Sequence, residues 1–127
     1  MSTPPEQIER ARPLAAAALE RKAEHLVAFD VRELTSFADT FVLATGTSDR
    51  HVRGIADAVV EAARGAASKP LGVEGYDEGR WVLIDLGDVV VHVFRSEVRE
   101  LYDLDRLWGD APRLDVDDVA RTADSAR

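Results

Sequence analysis

Two aspartates and a histidine, residue types suited to metal binding or acid–base chemistry, lie close together in the segment DLGDVVVHVFRSE, residues 85–97. They are Asp85, Asp88 and His92. Paired carboxylates on one strand would need the spacing D-x-D to point the same way, whereas Asp85 and Asp88 are three residues apart with Gly87 between them. This spacing favours a turn fixed by side chain–backbone hydrogen bonds over a catalytic centre.

The remaining histidines do not complete a metal site. A metal needs three or four convergent ligands, and His25 and His51 fall in different predicted elements from His92. The chain has no cysteine, which excludes thiolate ligands, cysteine nucleophiles and disulfides. We therefore expect no metal, no cofactor and no catalytic residue.

A second segment with possible chemistry is TGTSDRH, residues 45–51, which joins a predicted strand to a predicted helix. The amino terminus of a helix can hold a phosphate group, so a nucleotide-binding enzyme stays open as an alternative. The segment lacks both glycine-rich nucleotide motifs. A helix cap at Thr47 or Ser48 explains it without a ligand.

The hydrophobic pattern predicts one α/β domain over residues 1–112, with a mixed sheet of about five strands flanked by helices. The first helix should start at the capping box Thr3–Glu6 and reach about Lys22. The later helices should follow Ser48 and Ser96. The apolar stripe of the last helix is expected at Val98, Leu101, Leu104, Leu107 and Trp108. Residues 113–127 are predicted to be a disordered tail. The strands are predicted at residues 25–31, 40–46, 71–75, 80–86 and 88–94.

Alternation along the last two strands predicts which side chains share a face of the sheet. If the hairpin pairs around LGD, then Trp81, Asp85, Asp88 and His92 come together on one face. Such a face is either catalytic or a contact surface. The opposite face of the last strand is purely valine and is the expected core side: Val89, Val91 and Val93.

Charge and composition narrow the class of partner. The 127 residues are 46% hydrophobic and carry a net charge of −8, as expected for a globular protein that does not bind nucleic acid through a basic face. The segment from Val73 to Val90 contains five acidic residues, and Arg80 is its only basic residue. This segment should repel nucleic acid and attract a basic protein. No secretory signal or membrane span is apparent, and we expect a cytoplasmic location.

Four segments resemble the ribosomal silencing factor family, also called Iojap-like. They are residues 30–61, PLGVEG at 70–75, GRWVLIDLGDVVVHVF at 79–94 and RELYDLDRLWGDAP at 99–112. The most specific motifs are W-x-x-x-D-x-G-D-x-x-V-H and Y-x-L-x-R-L-W. The resemblance covers most of the chain, roughly residues 14–112.

This resemblance implies a nucleotidyltransferase-like fold without the catalytic carboxylates, and a protein that is not an enzyme. Members of the family bind the large ribosomal subunit through its ribosomal protein number fourteen, block association with the small subunit and repress translation when nutrients are scarce. Little direct RNA contact and a homodimer in the free state are also implied. A dimeric adaptor for some other basic protein stays open as an alternative.

The corresponding hypothesis for this chain places a protein-contact surface around the predicted hairpin. Trp81 and Leu86 would be anchors, although alternation turns Leu86 toward the core unless the turn exposes it. The aspartates would pair with basic groups of the partner. The full set of expected contact residues is Trp81, Asp85, Leu86, Asp88, His92 and Tyr102.

Overall fold

A computed structural model describes residues 5–66, 68–102, 106 and 111–114. The helices are α1 (Pro5–Glu20), α2 (Asp49–Gly65) and α3 (Ser96–Tyr102). The strands are β1 (Glu24–Asp30), β2 (Thr40–Gly46), β3 (Gly72–Glu74), β4 (Trp81–Asp85), β5 (Val89–Arg95) and β6 (Arg113–Leu114).

The strands form one mixed sheet in the order β3-β4-β5-β2-β1-β6. The central pair, β2 and β5, is parallel, and the other neighbouring pairs are antiparallel. The predicted mixed α/β sheet is confirmed. Among the described residues it has six strands, where about five were expected.

The extra strand lies inside the segment that the sequence predicts to be a tail. Arg113 and Leu114 pair antiparallel with Phe29 and Ala28 of β1, and Leu114 is buried. A strand of two residues is too short to leave a periodic pattern in the sequence, which is why Arg113 and Leu114 were predicted to belong to the tail. Residues 115–127 lie outside the described residues.

The end of α1 and the start of α2 are both capped in a regular way. Lys22 adopts a positive φ of 61°, and the backbone N–H groups of Lys22 and Ala23 donate to the carbonyls of Leu19 and Ala18. This left-handed residue closes α1 as glycine usually does, so the helix ends at Glu20 and not at Lys22. Thr3 lies outside the described residues. At the start of α2, the Ser48 hydroxyl accepts a hydrogen bond from the His51 N–H at 3.0 Å.

The helices and the sheet enclose two separate hydrophobic clusters. One face of the sheet, here called the helix face, packs its valines and alanines against α1 and α2. The other face, here called the aromatic face, carries Phe29, Phe41 and Phe94 and packs against Val98 of α3. Because β5 is a central strand with a covered surface on both sides, Val90 and Phe94 are buried as fully as the valines opposite them. The prediction of a single core side was wrong.

Two glycines give opposite predictions for alanine substitution. Gly75 has a φ of +80°, and a Cβ there would lie 2.1 Å from the Trp81 carbonyl oxygen, whereas a Cβ at Gly54 of α2 meets nothing within 4 Å. Gly75→Ala should lower the free energy of unfolding by about 1–3 kcal/mol. Gly54→Ala should raise it by about 0.4–1 kcal/mol, because it removes backbone freedom from the unfolded chain. Urea unfolding of both variants tests this pair, and a stable Gly75→Ala protein would contradict it.

Candidate protein-contact surface

The β4–β5 hairpin brings Trp81 and His92 together on the aromatic face. Leu83 of β4 lies opposite His92 of β5, and Trp81 lies opposite Phe94. The Trp81 indole Nε1–H donates a hydrogen bond to His92 Nδ1 at 3.2 Å. The sequence prediction that these two residues share a face is therefore confirmed.

Five rings follow one another across this face, from the loop after β1 to the end of α3. Successive ring centroids are 6.0 Å apart for Phe37–Phe41, 5.2 Å for Phe41–His92, 6.1 Å for His92–Trp81 and 5.5 Å for Trp81–Tyr102. We call this set the aromatic row. Its middle is buried or half-buried, while its ends are open: Phe37 is 68% exposed and Tyr102 is 58% exposed. Exposed aromatic side chains beside buried ones are typical of protein-contact surfaces.

A buried arginine holds α3, and with it Tyr102, against the sheet. Arg99 is only 7% exposed, and its Nη1 donates to the His25 carbonyl at 2.6 Å and to the Thr45 hydroxyl at 2.9 Å. Its guanidinium also lies over the Phe94 ring, 5.6 Å from the centroid. Such a contact favours the cation over the electron-rich ring face. The position of Tyr102 therefore depends on polar contacts made one helical turn earlier.

The environment of His92 fixes its protonation state. Since Nδ1 accepts the indole hydrogen bond, the proton of the neutral ring must be on Nε2. Nε2 is buried and has no hydrogen-bond partner in the described part of the chain, and the Phe41 ring packs edge-on against the imidazole. Burial lowers the pKa of His92 from its ordinary value of 6.5 to about 4. His92 is therefore a neutral support for Trp81 and does not act as a general base near neutral pH.

This lowered pKa predicts a pH dependence of stability. Between pH 4 and 6.5 the unfolded chain binds a proton at His92 while the folded chain does not. Stability should therefore fall as the pH falls through this range, by at most about 1.4 kcal/mol per pH unit. Above pH 6.5 His92 should contribute no slope. Urea unfolding at several pH values measures this effect.

The control for this prediction is His92→Gln, which keeps a neutral polar side chain that does not titrate. The acidic groups are the same in both proteins, so their contributions to the pH dependence of unfolding cancel when the two profiles are compared. Asp30, whose hydrogen bond from Arg32 lowers its pKa to about 2, loses its stabilising effect only at lower pH. Parallel pH profiles for the native protein and the variant would contradict the assignment.

The role of Asp85 in the turn is confirmed. Its Oδ1 accepts a hydrogen bond from the Gly87 N–H at 2.9 Å, and Gly87 adopts a positive φ of 88°. Asp85 lies opposite Val90 in the antiparallel pair, so it stays on the aromatic face at the far end from Trp81. It fixes the hairpin and is half-buried.

Leu86 and Asp88 do not join this surface. Asp88 forms an ion pair with Arg10 of α1 at 2.5 Å, and Leu86 packs partly against the helix-face cluster. Both residues line a cleft of about 370 Å³ beneath α1. The prediction that Asp88 shares a face with Trp81 and His92 was wrong, because Asp88 lies in the turn and not in β5, where strand alternation no longer applies. Leu86 points toward the core, as its place in the alternation indicates.

Sequence reasoning missed part of the surface. The expected contact set omits Phe37 and Leu83, although Leu83 lies directly opposite His92. Alternation from Trp81 along β4 does place Leu83 on the same face as Trp81 and Asp85. No periodic signal marks Phe37, because it lies in the loop between β1 and β2. The Leu104, Leu107 and Trp108 positions predicted to extend α3 lie outside the described residues.

The phosphate-binding alternative finds no support at the start of α2. Ser48 caps the helix, and His51 Nδ1 accepts a hydrogen bond from the Thr47 N–H at 2.9 Å. The N–H groups of Thr47 and His51 at this junction are thus already paired within the chain. Among the residues that the structure describes, no group of three potential metal ligands is present, and no helix there is long and apolar enough to cross a membrane.

Comparison with known proteins identifies the family. The family model described as ribosomal silencing factor during starvation matches residues 4–127. The chain belongs to this family. A ribosomal silencing factor of Bacillus subtilis is 45% identical over 103 residues, covering 81% of this chain and 87% of that protein. One of Halalkalibacterium halodurans is 42% identical over 100 residues, covering 79% and 86% respectively.

A solved structure shows the same fold in a related protein. The crystal structure of a Chromobacterium violaceum protein superposes with a TM-score of 0.77 at 38% identity, covering 80% of this chain and 84% of that one. Membership of the silencing factor family confirms the resemblance found in the sequence motifs. The family is named for an effect on the ribosome.

Proposed function

We propose that this protein binds the large ribosomal subunit through the basic ribosomal protein numbered fourteen and prevents the small subunit from joining. Translation would thereby be repressed when nutrients are limiting. The protein would act by occupying a surface, without catalysis or a cofactor. It would work in the cytoplasm, make little direct contact with RNA and form a homodimer when free.

The observation that carries the proposal is the aromatic row on the aromatic face. Trp81 is held in place by His92 on one side and contacts Tyr102 on the other. A preorganised aromatic side chain loses little conformational freedom on binding and is the usual kind of interface anchor. Leu83 adds apolar surface opposite His92, and Phe37 adds exposed apolar surface at the far end of the row from Tyr102.

Charge supports a basic protein as the partner. The chain has a net charge of −8, so it should be repelled by the phosphate backbone of RNA and attracted by a basic ribosomal protein. Asp85 lies on the same face as Trp81 and offers a carboxylate to that partner. Asp88, already paired with Arg10, and Leu86 would contribute only if the partner also covers the β4–β5 turn.

Sedimentation of purified ribosomal subunits tests the proposal. The two subunits are mixed with and without the protein at one Mg²⁺ and salt concentration, and the gradient is analysed for intact ribosomes and for the protein. Migration of the protein with the large subunit and loss of intact ribosomes is the expected result. Intact ribosomes with the protein left at the top would reject subunit exclusion. Binding to the large subunit without loss of intact ribosomes would leave an adaptor role.

A further inference from the structure

A second candidate surface lies on the helix face, at the edge of the sheet formed by β3. β3 is the outermost strand next to β4, and its outer side pairs with no other strand in the described part of the chain. The free backbone groups of such an edge can accept another extended segment. Three apolar side chains next to this edge are exposed: Leu71 by 74%, Val73 by 41% and Tyr76 by 37%.

The edge opens into a groove between β3 and α2. The groove has a volume of about 600 Å³ and is lined by Val60, Val73 and Tyr76 together with Asp57, Glu61 and Arg64. At one end the Tyr76 hydroxyl donates a hydrogen bond to the Asp57 carboxylate at 3.1 Å. This bond holds the tyrosine ring along the side of the groove. From Asp57 to Arg64, α2 advances by about 10 Å, long enough to run beside a short added strand.

The charges around the groove select the kind of segment that fits. Asp57 and Glu61 line it and are exposed, and Arg64 is the one cation among the lining residues. Just beyond it, Glu74, Asp77 and Glu78 are also exposed. A second copy of this chain would bring two such acidic rims together, which is unfavourable. A basic segment would meet carboxylates of opposite charge at the rim and the apolar side chains of Val60, Val73 and Tyr76 within the groove.

We propose that β3 and the α2 groove bind an extended basic segment of another protein, which adds a strand to the sheet. The segment would hydrogen-bond along Gly72–Glu74 and place alternate apolar side chains against Val60, Val73 and Tyr76. Its basic side chains would alternate with these and point to the other face of the sheet, toward Glu74, while Glu61 adds negative charge at the rim of the groove. Recognition by strand addition derives affinity from the backbone and specificity from alternate side chains. This surface is separate from the aromatic row, so it goes beyond the function proposed above.

The test uses the full ¹⁵N-labelled chain and a capped seven-residue peptide of alternating lysine and valine. Amide signals of Gly72, Val73 and Glu74 should shift on titration, while the Trp81 indole signal should not. A matched peptide with glutamate in place of lysine should cause no shifts. A lysine–valine peptide with proline at its centre should bind at least about tenfold more weakly, since proline removes a backbone donor.

Charge-reversal variants at the rim of the groove distinguish electrostatic recognition of the peptide from nonspecific apolar binding. Glu61→Lys with Glu74→Lys should weaken binding of the lysine peptide at least about tenfold, and both positions are exposed, so folding should not depend on them. Equal shifts with the glutamate peptide, or shifts centred on the aromatic row, would overturn the proposal. So would shifts of Gly72–Glu74 that depend on protein concentration alone, because a second copy would then occupy the edge.

Discussion

Replacing Trp81 by alanine should weaken binding to the large ribosomal subunit by about 30-fold or more. This corresponds to about 2 kcal/mol, the usual cost of truncating a central aromatic anchor. Trp81 lies in the middle of the aromatic row, held by His92 and in contact with Phe94 and Tyr102. A titration of the large subunit, with bound protein measured after sedimentation, gives the change in affinity.

Two control variants make this result specific. Trp81→Phe keeps an aromatic ring but loses the hydrogen bond to His92, so it should fall between the native protein and Trp81→Ala. Leu19→Ala removes an exposed apolar side chain from α1, far from the aromatic row in the fold, and should bind normally. Circular dichroism checks that each variant is folded. Unchanged binding by a folded Trp81→Ala protein would show that the aromatic row is not the contact surface.

Phe94→Ala should lower the free energy of unfolding by about 3–5 kcal/mol, the usual cost of removing a phenylalanine from a packed core. Phe94 is fully buried in β5 and lies beneath both Trp81 and the guanidinium of Arg99. Its loss would leave a cavity and also remove the support on which α3 rests. Urea unfolding followed by circular dichroism measures the effect.

The matched control is Ile84→Val, which removes one methylene from a fully buried side chain on the helix face. This change should cost about 0.5–1.5 kcal/mol. If Phe94→Ala cost no more than Ile84→Val, the aromatic face would not be a packed core. Its exposed rings could then not be regarded as preorganised.

The elements with strong local sequence signals were predictable. The range of β2 was predicted without error, and Ser48 was one of the two predicted caps of α2. Local chemistry also predicted the turn role of Asp85, because aspartate beside a turn glycine commonly accepts a backbone N–H. For the helix cap and the turn, the decisive interactions lie within a few residues of one another.

The errors came from interactions between residues that are distant in the chain. The ion pair of Asp88 depends on where α1 crosses the sheet, which places Arg10 beside the turn. The burial of Phe94 depends on α3 returning over the aromatic face through Val98 and Arg99. The second cluster, and with it the aromatic row, depends on tertiary packing that strand alternation alone does not specify.

The parallel pairing of β2 and β5 at the centre of the sheet affects how the chain folds. β2 and β5 join residues as distant in the chain as Thr40 and Val89, so the entropic cost of closing a long loop precedes the gain from this pairing. During synthesis the edge of β2 that pairs with β5 would stay unpaired until β5 leaves the ribosome, although β1 already pairs with the other edge. The aromatic row, which includes His92 of β5 and Tyr102 of α3, would thus be complete only after most of the chain has been translated.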